Sequence, residues 1–334
     1  MNSCVIGGGS WGTALASVLA HNGSVRLWAR EPEVVEGINR DHRNPRYQTD
    51  IDLPPTIEAT GDLRAAVKGA ELVCVVVPSH AMRAVMSGVA DALQPGVPIV
   101  SAAKGIENDS LQTMEEVLCD VLPRTLWADL AFLSGPSFAR ETLQRMATAV
   151  TIAARFHQVA KKAQAAFSTP FFRVYTTEDV TGVELGGALK NVVAIAAGAA
   201  SGLGLGHNSM AALLTRGLAE ITRLAVKRGA NPLTLSGLAG MGDLVLTCTG
   251  GLSRNRHVGV ELGKGRTLDD ILGEMNEVAE GVKTAKSTWD LCRREGVDMP
   301  IAEQVYKVIY EQKAPAQALT DLMTRELKRE RDFG

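Results

Sequence analysis

The chain has 334 residues, room for about two domains and a large core, and its 46% hydrophobic and 22% charged content is that of an ordinary globular protein. Thirty-five basic against 37 acidic residues leave a net charge of −2, which excludes a global pull toward nucleic acid or an anionic membrane, so any anion recognition must be local. Aromatics at 4% argue against base-stacking platforms, and five scattered cysteines with no CxxC pair point to reduced thiols in the cytoplasm, with no disulfide frame and no metal site.

The first half alternates strand and helix. Ser3–Ile6 is a short buried strand, and its early start leaves no room for a signal peptide before it. A glycine turn then opens a helix over 11–21, and Ser24–Ala29 is a second strand. The polar, proline-containing stretch Arg40–Pro55 has little periodicity and is expected to be a surface loop. Glu71–Val77 is a nearly unbroken apolar run, as expected for a strand buried on both faces. Further strands are expected at 97–102, 130–134, 147–153 and 171–175. This alternation predicts an α/β fold: a Rossmann-type, doubly wound, mostly parallel sheet. After Glu178 the pattern turns wholly helical, with helices expected at 185–200, 209–228, 254–262, 281–295, 301–311 and 316–330. The division falls near residue 180, giving a dinucleotide-binding domain over 1–180 and an all-α substrate-binding and catalytic domain over 181–334. The span 185–205 is long enough to cross a membrane but rich in Gly and Ala, with Lys190 and Asn191 in its first third; it is expected to be a buried helix, not a span.

Gly7-Gly8-Gly9-Ser10-Trp11-Gly12 fits G-x-G-x-x-G after a strand and at the opening of a helix, the context that makes the pattern a dinucleotide fingerprint. Gly7 allows the tight turn, Gly9 lets a pyrophosphate approach the backbone, and Gly12 lets helix and strand pack closely. The second strand is followed by Arg30, which suits a ribose 2′-phosphate and favours NADP(H); Glu31 before Pro32 resembles a helix start more than a ribose ligand, and use of NAD(H) as well stays open. Ligands in open α/β sheets sit beyond the carboxyl ends of the strands, where Pro78-Ser79-His80, Lys104-Gly105 and Gly135-Pro136-Ser137 fall. His80 is expected in the first turn of a helix, not in catalysis.

Lys190 is the only charge between Glu184 and His207. A lysine in so apolar a setting either snorkels to the surface or is held for a purpose. As an acid–base group it needs a lowered pKa, which desolvation and a second cation such as Lys104 would supply, while Asp243 would oppose the shift but orient the ammonium group. Asp243 belongs to Gly237–Arg256, which carries one carboxylate, the hydroxyls of Thr247, Thr249 and Ser253, and Arg254-Asn255-Arg256 among five glycines. That set suits a small molecule hydroxylated at one end and anionic at the other. Ser253 is the expected N-cap of a helix whose start favours an anion. Cys248, inside the segment, has no clear partner to make it a thiolate.

GGGSWG, VVVPSH, AAKGIE, SGPSFA, ELGGALKN, GLAGMGDLVLTCT and SRNR, in this order and through EGVKT at 280–284, resemble the bacterial NAD(P)-dependent glycerol-3-phosphate dehydrogenases. The resemblance implies reversible reduction of dihydroxyacetone phosphate to sn-glycerol 3-phosphate, a supply of phospholipid backbones, and a homodimer. It implies that Lys190 is the proton donor and acceptor, with Lys104 touching substrate and cofactor. It implies substrate contacts from Gly135, Ser137, Asp243, Ser253, Arg254 and Asn255, and cofactor contacts from Ser10, Trp11, Arg30, Ala139, Arg254, Val278 and Glu280. Rival dehydrogenases with a helical second half need a histidine base or a nucleophilic cysteine, neither of which stands in a convincing context. A non-catalytic NADP(H) sensor would leave Lys190, Asp243 and Arg254 unexplained.

Overall fold

The computed structural model describes residues 1–275, 279–327 and 329–330. The chain divides into two compact units, one of Met1–Lys104 with Gln112–Glu184 and one of Gly105–Leu111 with Leu185–Gly334.

The first unit is built on an eight-stranded sheet: β1 (Asn2–Ile6), β2 (Ser24–Trp28), β3 (Ile57–Thr60), β4 (Leu72–Val75), β5 (Ile99–Ser101), β6 (Leu130–Ser134), β7 (Thr148–Ala153) and β8 (Phe172–Thr177). Their order is β3-β2-β1-β4-β5-β6-β7-β8, and every neighbouring pair is parallel except β6–β7. β4, β5 and β6 are buried at every position; β4 is wholly apolar, and β5 and β6 end in the buried serines Ser101 and Ser134. β2, β3 and β8 alternate instead, exposing Arg26, Glu58, Arg173 and Tyr175. The order reverses between β1 and β4, a switch point of the kind at which doubly wound sheets open a crevice at their carboxyl ends.

Two expectations for this unit are corrected. β3 was not anticipated: it has four residues, alternates with Glu58 outward, and follows two prolines. Arg40–Pro55 is not simply a surface loop. Arg40 and Asp41 close the Pro32–Asp41 helix, and beyond them Asn44 and Leu53 are buried while Tyr47 and Ile51 pack on the core.

The second unit has no strand among its described residues. Its helices are Val180–Gly202, whose first turn belongs to the first unit, then His207–Lys227, Pro232–Leu235, Asp243–Thr249, Arg254–Gly263, Leu268–Gly273, Glu280–Glu295, Pro300–Tyr310 and Pro315–Met323. Leu189, Val192, Ala194 and Ala197 of the long helix share a core with Leu224, Leu244, Val258, Ala285 and Leu291. The small residues of that helix serve close approach: a Cβ on Gly198 would lie 2.1 Å from the Arg256 carbonyl oxygen, and one on Gly259 would lie 2.0 Å from that of Ile195. Val180–Gly202 is long and apolar enough to cross a membrane, but 78% of its most apolar window is buried in protein, the pattern of a core helix. The last helix stops at Met323, short of the expected Glu330. The charge-dense stretch after it has no apolar stripe to bury, and its Arg325 pairs with Asp298 at 2.9 Å.

Candidate active site

In the first unit the chain leaves β1 into the fingerprint. Gly7 has φ +128°, which an L side chain rarely adopts, and its N–H donates to the Trp28 carbonyl at 3.0 Å. A Cβ on Gly12 would stand 1.8 Å from the Gly7 carbonyl oxygen, so helix and turn meet only if position 12 is glycine. A Cβ on Gly9 would meet nothing within 4 Å: the backbone there borders open space. Gly9 is the N-cap of the Ser10–Leu19 helix and brings no side-chain cap. The Trp11 indole N–H is buried without a hydrogen-bond partner among the described residues. An open backbone cradle at a helix start, with a buried donor still to satisfy, fits the pyrophosphate of a dinucleotide.

The turn is held from behind by Asn44, which sequence reasoning missed. Its Nδ2 donates to the Gly8 carbonyl at 2.9 Å and the Thr13 hydroxyl at 2.8 Å, while its Oδ1 accepts from the backbone of Arg46 and Tyr47. An asparagine between an arginine and a proline reads as a turn former; nothing in the string marks it as a buried clamp.

Arg30 follows β2 with its side chain 83% exposed and its Nη2 3.0 Å from the Glu31 carboxylate. Glu31 is the N-cap position of the Pro32–Asp41 helix, as its place before a proline suggested. At the ends of β5 and β6, Lys104 Nζ donates to the Gly135 carbonyl at 3.4 Å, and Ser137 Oγ donates to the same oxygen at 2.9 Å. Lys104, Gly135 and Ser137 therefore form one cluster. Ala139 opens a short helix just beyond it, and His80 lies exposed in a 3-10 turn after β4.

The second unit holds the lysine. Lys190 is 6% exposed, so it does not snorkel. Its Nζ donates to Asp243 Oδ1 at 2.5 Å and to Thr247 Oγ1 at 2.7 Å. The Thr247 hydroxyl donates its one proton to the Asp243 carbonyl at 2.6 Å, so toward the lysine its oxygen can only accept. Asp243 begins the Asp243–Thr249 helix, where the macrodipole favours a carboxylate, and Thr247 follows one turn later on the same face. A tight π-type turn, Leu238–Gly242, feeds this helix; a Cβ on Gly240 would come within 2.1 Å of the Leu235 carbonyl oxygen. Burial pushes the Cys248 thiol up to about 12 despite the nearby Lys190 charge, so it stays a protonated thiol.

Ser253 is the N-cap of the Arg254–Gly263 helix, as expected, accepting from the Arg256 N–H at 3.2 Å. Arg254 is exposed there, while Asn255 is buried and tied on both sides: its Nδ2 donates to Asn191 Oδ1 at 2.9 Å and its Oδ1 accepts from the Gly281 N–H at 2.9 Å. Glu280 opens the Glu280–Glu295 helix. Val278, expected at the cofactor, lies outside the described residues. Among the described residues no group of three His, Cys, Asp or Glu side chains could hold a metal ion.

Residues 2–160 match the family model for the NAD-dependent glycerol-3-phosphate dehydrogenase N-terminus, and residues 179–320 that for its C-terminus. The chain is 59% identical over 331 residues to a Myxococcus xanthus protein named glycerol-3-phosphate dehydrogenase [NAD(P)+], covering 99% of each, and 57% identical to one of that name from Anaeromyxobacter, covering 99% of this chain and 100% of that one. The crystal structure of a glycerol-3-phosphate dehydrogenase from Coxiella burnetii superimposes with a TM-score of 0.92 at 37% identity, covering 97% of this chain and 99% of that one. The chain is a member of the NAD-dependent glycerol-3-phosphate dehydrogenase family.

Proposed function

We propose that this chain reversibly reduces dihydroxyacetone phosphate to sn-glycerol 3-phosphate, drawing on NADP(H) in preference to NAD(H). The observation that carries the reading is Lys190, buried and clamped between Asp243 and Thr247. A buried ammonium group fixed by two acceptors is a positioned proton donor. Reduction makes the ketone carbon tetrahedral and builds negative charge on its oxygen. Lys190 Nζ–H, directed at that C2 oxygen, stabilises the charge and then delivers its proton; in reverse the amine takes the proton back from the alcohol. Asp243 and Thr247 fix the direction of the Nζ.

Bound NADP(H) supplies the hydride chemistry. Gly7, Gly9, Ser10, Trp11 and Gly12 hold its pyrophosphate, and Arg30, exposed beyond β2, pairs with the 2′-phosphate. Ala139, Arg254 and Glu280 are further cofactor contacts, and Lys104 touches both ligands. The substrate is held by Lys104, Gly135, Ser137, Asp243, Ser253, Arg254 and Asn255, with the helix start at Ser253 meeting the phosphate. That anchoring, remote from the reacting carbon, orients the ketone for transfer. In this reading the first half of the chain is the cofactor domain and the helical half the catalytic one, and the enzyme works as a homodimer in the cytoplasm.

The test is nicotinamide oxidation on adding dihydroxyacetone phosphate, with NADPH and NADH side by side. Turnover favouring NADPH is expected. Turnover favouring NADH would remove the role given to Arg30, and no turnover from folded protein that still binds cofactor would overturn the substrate assignment.

A further inference from the structure

We propose that the backbone N–H of Gly281 sets the polarity of the Asn255 amide, making Gly281 a positioning residue for the phosphate end of the substrate; the inference rests on the function proposed above. Gly281 is the second residue of the Glu280–Glu295 helix. An N–H in a first helical turn has no partner within its helix, and the N-cap here, Ala279, has no side-chain acceptor to offer. Asn255 Oδ1, from a different helix, accepts instead at 2.9 Å.

The consequence is directional. A backbone N–H can only donate, so the Asn255 atom against it must be the oxygen. Nδ2 then faces Asn191, 2.9 Å away, and the Asn191 atom that meets it must be Oδ1. An isolated amide can sit either way round, but here one unambiguous donor fixes two amides in turn. Of the two Nδ2 protons of Asn255, one goes to Asn191 and the other is offered to an anion. With the amide reversed, an oxygen lone pair would meet the phosphate.

Position 281 must also be small. A Cβ there would lie 2.7 Å from the Asn191 carbonyl oxygen and 2.8 Å from Asn255 Oδ1, so any side chain pushes the Asn255 amide off its bond. Asn191, Gly281 and Asn255 are all buried, which leaves the chain of bonds little room to re-form.

The experiment is a double-mutant cycle on the full enzyme, with KM for dihydroxyacetone phosphate as the readout. Gly281→Ala should raise KM about tenfold or more while kcat falls less. Added to Asn255→Ala, the same change should raise KM by less than about twofold, because its effect passes through Asn255. A full further tenfold in that background, or a KM for Gly281→Ala within twofold of wild type, would overturn the proposal. If Gly281→Ala does not fold, Asn255→Asp serves: it keeps an acceptor for the Gly281 N–H but sets an oxygen against Asn191 Oδ1 and offers phosphate no donor, so it should share the raised KM of Asn255→Ala. A wild-type KM for Asn255→Asp would overturn the proposal. Wild-type protein that does not turn over dihydroxyacetone phosphate would instead defeat the function itself, a result separate from all of these.

Discussion

Replacing Lys190 by methionine keeps a straight side chain of similar length and deletes only the ammonium group. Two losses follow, and the structure sizes both. Proton transfer by a positioned group contributes about 10²–10⁴ in rate, and a donor aimed at a developing oxyanion about 10²–10³. One ammonium does both, so the factors overlap, and kcat should fall by roughly 10³–10⁴. The second loss is in stability. Asp243 is 1% exposed and would lose the cation that faces it. Breaking a buried pair by removing one partner costs about 3–5 kcal/mol. Its place in the first turn of a helix returns roughly 1 kcal/mol. A net loss of about 2–4 kcal/mol should lower the melting temperature of the helical unit by roughly 5–15 °C. Saturating NADPH oxidation measures the first effect, calorimetry the second, and fluorescence titration of NADPH shows whether cofactor binding survives, as it should. Adding Asp243→Asn removes the stranded carboxylate and should recover much of the lost melting temperature without recovering turnover. A Lys190→Met enzyme with kcat within tenfold of wild type would refute the proton-transfer role, and a double variant that regained activity along with stability would show that the lysine had mattered only to folding.

Arg30→Ser removes an exposed cation at the end of β2. The KM for NADPH should rise about tenfold or more with that for NADH within about twofold; equal losses for both cofactors would put Arg30 elsewhere. Glu184→Gln addresses pH. Burial, reinforced by the Glu115 carboxylate, pushes the Glu184 carboxyl from 4.5 to about 8. A folded-state pKa raised above the unfolded one means that the folded protein binds the proton more tightly. The stability this gives is full below about pH 4.5 and is lost as pH rises through 8, by on the order of a few kcal/mol. Wild-type melting temperature should therefore drop more steeply than that of Glu184→Gln between pH 5 and pH 9; parallel profiles would show that this carboxyl does not titrate as described.

The legible parts of the sequence were those where one physical demand dominates a run of residues. β4 stands in the string because a strand covered on both faces leaves no polar position, and β1 and β6 stand out by their buried apolar stretches Cys4–Ile6 and Leu130–Leu133. The fingerprint stands out because close backbone approach admits only glycine. Lys190 and Asp243 were each visible as charges in apolar company, and the structure makes them a pair across 53 residues of sequence. What stayed hidden depends on contacts between distant segments. Thr247 looked like one hydroxyl among three until the Asp243–Thr249 helix placed it one turn from Asp243. Asn44 lies in a stretch whose prolines and charges describe a loop, β3 follows just beyond it, and only the packing of Leu53, Tyr47 and Ile51 reveals a covering layer. Among the glycines of 237–242, Gly240 serves a close approach within the protein: a Cβ there would meet the Leu235 carbonyl oxygen at 2.1 Å.

The thiols have a use that catalysis does not assign them. Cys4 and Cys74 are sealed in the sheet of the first unit, and Cys248 and Cys292 in the helical core of the second. A buried, protonated sulfur reacts with an alkylating reagent only when its surroundings open. The protein thus carries two native reporters in each half, and peptide-resolved alkylation rates would time the opening of the sheet and of the helical bundle separately, with no label introduced. A ligand that clamps one half would announce itself as slowed labelling of that half's pair alone.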